Sequence, residues 1–139
     1  MTPESLAVSG TEGAHQTALF CWAALMANQY PELRWMHHIP NGGSRGAGRS
    51  GAIAGARMKA QGVKPGVADI FLPVRRSMWS GLYIELKKPA ERPKRGGKGG
   101  VSDEQKEFGE FVMGQGYGWI VCYGWEEARD MIVNYLTTL

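Results

Sequence analysis

At 139 residues the chain has room for one packed domain and little more. With 43% hydrophobic and 21% charged residues it is no disordered tail, and no apolar run approaches the roughly 18–20 residues of a membrane helix. The net charge of +3 conceals thirteen Lys or Arg against three acids over residues 45–98, set between acidic ends, which predicts one positive face suited to a polyanion such as nucleic acid.

In chain order, residues 1–10 read as a flexible end, without the basic and apolar stretches of a secretory leader. Thr11 is a good N-cap, and Ala14, Leu19, Trp22, Ala23, Leu25 and Met26 make the apolar stripe of a helix that stops before Tyr30-Pro31. Residues 34–39 read as a short strand. Residues 44–51, rich in Gly, Ser and Arg, read as a loop, and residues 52–61 as a helix stopped by Gly62. Residues 67–74 and 80–87 read as antiparallel neighbours across a turn at Arg75, Arg76 and Ser77. Residues 88–101, basic and rich in Gly and Pro, predict a flexible loop. Ser102 opens a capped helix with Phe108, Phe111 and Val112 on its core face, and residues 117–123 form an aromatic, β-branched strand. The last helix covers residues 125–136, with Glu126 and Glu127 in the first turn, where the dipole favours acids. A single α/β domain over residues 1–139 is expected, its helices flanking a small mixed sheet, with Trp22, Trp35, Trp119 and Trp125 in the core and Trp79 in a turn free to stack on a base.

Cys21 and Cys122 belong to no CxxC or Cys/His cluster, so two buried thiols in a reducing cytoplasm are expected and structural zinc is excluded. Gly46-Ala47-Gly48-Arg49-Ser50-Gly51 matches a dinucleotide fingerprint. Asp69, however, stands at the beginning of a strand, whereas a ribose-binding acid stands at the end of one. Arg45 and Arg49 suit phosphate contact by a basic loop equally well, and Gly99 after Gly97-Lys98 breaks a P-loop. No nucleotide cofactor is expected.

Asp69 opens one strand of the antiparallel pair, and Glu85 and Lys87 close the other. Residues two apart share a face, so Glu85 and Lys87 point together while Leu86 packs behind them. If the strands pair, Asp69 comes beside Glu85, and two carboxylates that close repel unless a cation lies between them. Both acids sit in otherwise apolar stretches, where an unpaired charge is costly to bury. Oxygen donors select Mg²⁺ or Mn²⁺. Such an ion activates water and offsets charge on a phosphodiester, with Lys87 directed at the same place.

Asp69 with Glu85-Leu86-Lys87 matches the core of the PD-(D/E)XK nuclease superfamily. The wider pattern resembles its VRR-NUC family, in the small stand-alone form found in phages and bacteria. The residues that carry the likeness are Glu12 and Gln16 on the first helix, His38-Ile39-Pro40-Asn41, the run 61–69 ending in Asp69, and Tyr83-Ile84-Glu85-Leu86-Lys87. They continue with Ser102 and Gln105, Gly116-Tyr117, and the run 121–128. The match extends from about residue 12 to about residue 135 and departs at Ala68, where the family often has Pro.

This resemblance implies a restriction-endonuclease-like α/β core and a metal-dependent DNA endonuclease. It implies Asp69, Glu85 and the Leu86 carbonyl as metal ligands, Glu12 reaching the metal directly or through water, and Lys87 orienting the attacking water. Gln105 would position water or Lys87, with Gln16 supporting the network. Branched DNA, four-way (Holliday) junctions first, would be the substrate of a homodimer; a nickase, a flap or single-strand nuclease, and a non-catalytic DNA-binding protein are the alternatives. Several of these residues have a second reading. Glu12 also suits a helix start, Gln105 completes a Ser-x-x-Gln capping box, and His38 with Asn41 fits either substrate contact or a packed side chain. Arg45, Arg49, Lys64, Lys94, Arg95 and Lys98 fit phosphate contact or a solvated basic face.

Overall fold

The computed structural model describes residues 1–40 and 48–139, with the side chains of Gly48 and Arg49 outside that description. The expectations for Asn41, Arg45 and the Arg49 side chain therefore lie outside the described residues. One mixed sheet of four strands has the order β1 (His37–His38), β2 (Ile70–Leu72), β3 (Leu82–Lys87), β4 (Gly118–Tyr123). β1 pairs antiparallel with β2 and β2 with β3, whereas β3 and β4 run parallel. A parallel pair requires a long crossover. Helix α4 (Asp103–Gly114) supplies it, started by Ser102, whose hydroxyl accepts from Gln105 N at 3.1 Å.

The even-numbered side chains of β2 and β3 pack into one core with helices α2 (Glu12–Leu25) and α5 (Trp125–Leu136). Leu19, Ile70, Leu72, Ile84, Leu86, Cys122 and Ile132 are fully enclosed there. Burying these seven side chains is the main source of stability, at about 1.5–3 kcal/mol for each of the larger aliphatic ones. Helix α4 lies on the opposite face. Gly109 permits its close approach, because a Cβ there would run into the Trp119 indole. Among the described residues, no helix is long and apolar enough to cross a membrane.

Several elements differ from expectation. Residues 3–6 form a one-turn helix, α1 (Pro3–Leu6), because Thr2 and Ser5 make a reciprocal capping box. The expected strand over 34–39 is a 3₁₀ turn, Pro31–Trp35, followed only by the two residues of β1. Trp35 is consequently 63% exposed and outside the core. Helix α3 (Gly48–Ala60) begins inside the expected Gly-Ser-Arg loop, since the N–H groups of a first turn need no helical partner. Phe111 is 67% exposed, because α4 turns Gly109 and Val112 to the sheet instead, and Leu25 is exposed at the end of α2. Cys21 is only half-buried, whereas burial pushes the Cys122 thiol up to about 12. The segment 88–101 is irregular apart from a 3₁₀ turn, Pro89–Glu91, and is moored by Tyr123 Oη, which donates to the Gly99 carbonyl at 2.9 Å.

Helices α2 and α5 are joined by a buried polar contact. Gly124 offers α5 no side-chain cap, and His15 Nδ1 on α2 accepts the Trp125 N–H at 3.0 Å instead. Burial holds the His15 imidazole below its ordinary value of 6.5. An imidazolium cannot accept this bond, so the contribution is complete above pH 6.5 and lost as pH falls through the lowered folded value. Urea unfolding should lose stability between pH 7.5 and 5 more steeply in wild type than in His15→Asn, which at pH 7.5 should cost about 1–2 kcal/mol, the worth of a helix cap. Equal acid slopes in the two proteins would contradict the cap.

Candidate active site

β2 and β3 separate where the acids meet. Ile70 pairs with Ile84, and the register carried one step on sets Asp69 opposite Glu85. The Lys87 carbonyl accepts from Gly124 N at 2.8 Å, so alternation along the strand turns the Leu86 backbone away from β4 toward β2. There the Leu86 N–H donates to Asp69 Oδ2 at 2.8 Å. A side-chain carboxylate thus stands where a continuing ladder would place a carbonyl, which explains why β2 is shorter than the expected strand over 67–74. From the other side, His38 Nδ1 and Ile39 N both lie against the Asp69 carbonyl, at 2.8 and 2.7 Å. That contact assigns the His38 proton to Nδ1 and leaves Nε2 as the acceptor. His37 turns the other way and packs edge-on against Phe71.

The three central residues are enclosed: Asp69 is 5%, Glu85 0% and Lys87 6% exposed. Lys87 Nζ lies 3.9 Å from Glu85 Oε1, as two residues on one strand face should. Gln105 fills both of the roles open to it. Its Oε1 accepts from Ser102 N at 2.9 Å, completing the capping box, and this turns Nε2 to donate to Glu85 Oε1 at 3.1 Å. Glu85 Oε2 is buried with no hydrogen-bond partner. Burial, and then the neighbouring Asp69 carboxylate, push Glu85 up to about 9, against a smaller opposing pull from Lys87. Glu12, at the start of α2, is also raised, by burial first and by Asp69 second, with Lys87 opposing. Lys87 opposes the rise at both Glu85 and Glu12, and Lys88 opposes it at Glu12 as well.

That donor set fits a divalent cation. The oxygens are hard, one is buried without a hydrogen-bond partner, and burial beside Asp69 favours the protonated form of Glu85, which a bound ion would oppose. Among the described residues no three His, Cys, Asp or Glu side chains converge closely enough to hold an ion unaided. Hard oxygen donors of this kind are those that Mg²⁺ and Mn²⁺ take, alongside several waters.

The other candidates are more scattered. Lys64, Lys94 and Arg95 are exposed, and Lys98 Nζ lies 3.1 Å from the Asp103 carboxylate in an exposed pair of little energetic weight. Gln16 is half-buried on α2. Trp79 stands before β3, at the end of the sheet remote from Glu85, and lines a cleft with Met113, Met131 and Tyr135 instead of adjoining the acids. Sequence reasoning gave Phe71 and Tyr83 no role of their own. Each stands two residues from a central acid, so period-two alternation contained the signal.

The mixed four-strand sheet with its flanking helices has the restriction-endonuclease-like (PD-(D/E)XK) architecture, and two acids and a lysine meeting where two strands part, with an acid at the start of α2, fit that class. No protein-family model matches the chain, and no curated protein does. A solved structure described as a VRR_NUC domain protein is similar to it, with a TM-score of 0.67 and 26% identity, over 92% of this chain and 91% of that one. This likeness extends over nearly the whole chain and supports a VRR-NUC domain.

The raised Glu85 value has a sign that can be checked. The fold favours the protonated form, so without metal its contribution is complete below pH 4.5 and lost as pH rises toward 9. The Tm of metal-free wild type should fall across that window relative to Glu85→Gln. Titration with Mg²⁺ at pH 7 should release protons, read as a dependence of the calorimetric heat on buffer ionisation enthalpy. Parallel Tm profiles, or binding without proton release, would contradict a protonated Glu85.

Proposed function

We propose that the chain is a nuclease that hydrolyses DNA phosphodiester bonds with Mg²⁺ or Mn²⁺. The observation that carries this reading is the meeting of Asp69, Glu85 and Lys87, all buried, at the parting of β2 and β3. Asp69 and Glu85 would hold the ion, with the Leu86 carbonyl and Glu12, direct or through water, completing its protein donors. When bound, it supplies a water of lowered pKa and positive charge beside the scissile phosphate.

The chain's own groups have separable tasks. The Leu86 N–H fixes one Asp69 oxygen, and Gln105 fixes one Glu85 oxygen, so neither carboxylate must reorganise during the reaction. Lys87 Nζ, a donor only, orients the attacking water and stabilises the charge that grows on the phosphoryl oxygens. The basic segment from 45 to 98 attracts the DNA backbone.

Within this reading the substrate is branched DNA, with four-way junctions tested first. The active form is a homodimer, since paired cuts in a symmetric junction need two sites. β4 is an edge strand, and extending the sheet there is one way to join two copies. A reducing cytoplasm suits the two free cysteines.

The test is cleavage of an end-labelled four-way junction beside duplex, flap and single-stranded DNA, in Mg²⁺, Mn²⁺ or EDTA. Wild type should cut only with metal, and Lys87→Ala should lose roughly 10²-fold or more in rate while still binding DNA. Binding without cleavage of any substrate in Mn²⁺ would overturn the enzyme and leave a DNA-binding module.

A further inference from the structure

Between the central acids and the middle of the sheet lies an aromatic surface that the hydrolytic chemistry does not use. Phe71 stands opposite Tyr83, and Tyr83 precedes Glu85 by two on β3, so the Tyr83 ring and the Glu85 carboxyl share one face, about 7 Å apart along the strand. The Phe71 and Tyr83 rings lie 4.4 Å apart and 31° from parallel. Tyr117 meets both edge-on, at 6.0 and 5.6 Å, and His37 meets Phe71 at 5.9 Å. Phe71 lies flat across its neighbouring strand because Gly81 makes room, where a Cβ would come within 2.8 Å of the ring.

A cluster that served only as core would be covered. Among the described residues, helix α4 covers its β3–β4 side, through Phe108 on Tyr83 and Gly109 on Trp119. Phe71, Tyr83 and Tyr117 stay half-buried and His37 is exposed. The result is a partly open aromatic surface, its Phe71 and Tyr83 rings tilted 31° to one another, on the sheet face that carries Glu85. Stacking is the interaction such a surface offers a nucleic acid, and only a base that has left the duplex stack can accept it.

We infer that Phe71, with Tyr83 and Tyr117, forms a stacking platform for an unpaired base, so that the preferred substrate carries an unstacked nucleotide beside the scissile phosphate. This rests on the nuclease reading above and refines it: flaps and branches with an unpaired nucleotide rank above fully paired junctions. The platform reads no hydrogen-bonding edge and is therefore tolerant of base identity.

The test uses flap DNA with 2-aminopurine as its first unpaired base, the same label inside a continuous duplex, and a fully paired four-way junction. With cleavage blocked by EDTA, the full-length protein should quench the unpaired label and leave the duplex label unchanged. Phe71→Leu should remove the quench and weaken flap binding about tenfold, with duplex affinity within twofold and Tm little altered, whereas Phe71→Tyr should restore both. Loss of affinity for flap and duplex alike, or an undiminished quench in Phe71→Leu, would overturn the platform. If Phe71→Leu does not fold, the wild-type contrast between the two label positions decides alone, and equal quenching there overturns it. Metal-dependent cleavage indifferent to the unpaired base would refute the platform and keep the nuclease; a quench without any cleavage in Mn²⁺ would keep the platform and refute the nuclease.

Discussion

A single buried hydrogen bond, from the Leu86 N–H to Asp69 Oδ2, holds the architecture and the chemistry together. It ends the β2–β3 ladder without leaving a buried donor unsatisfied, and it opens a gap just where the register brings Asp69 and Glu85 face to face. The same bond fixes one Asp69 oxygen against the β3 backbone. With Asn at position 69 in the opposite amide orientation, two donors would oppose one another, and the strand end would have to rearrange.

β3 serves two environments at once. Its even-numbered residues complete the core against α2 and α5, and its odd-numbered residues run Tyr83, Glu85, Lys87 along the opposite face. Enclosing an acid in such a strand is tolerated because each cost is partly offset locally. Gln105 and Lys87 approach one Glu85 oxygen, and protonation neutralises the carboxyl while no cation is present. The orphaned Oε2 is the residue of that arrangement and marks where the fold gives up stability for a site.

Much of this was legible in the sequence, and the failures share a physical cause. α5 and the capping box of α4 follow from local signals, dipole-matched acids and Ser-x-x-Gln, and stand where those signals put them. The pairing of Asp69 with Glu85 followed from strand period and a turn, both local rules. The strand expected over 34–39 exists only as the two residues of β1, whose bounds could not be read because they are set by hydrogen bonding to β2, and Trp35 was assigned to the core on hydrophobicity that a 3₁₀ turn directs outward. His15 could not be read as the cap of a helix 110 residues away. Gln105 was legible as either a cap or a site residue. Only three dimensions show that an amide with two ends does both, the cap setting its aim on Glu85.

The claim on which the rest depends is that Asp69 and Glu85 together form a divalent-cation site. Crystals of the full-length protein soaked in Mn²⁺, measured at a wavelength where manganese scatters anomalously, address it without assuming any activity. The account predicts anomalous density bounded by the Asp69 and Glu85 carboxylates and within reach of the Leu86 carbonyl. Density elsewhere, or none between these two acids at saturating Mn²⁺, would contradict it.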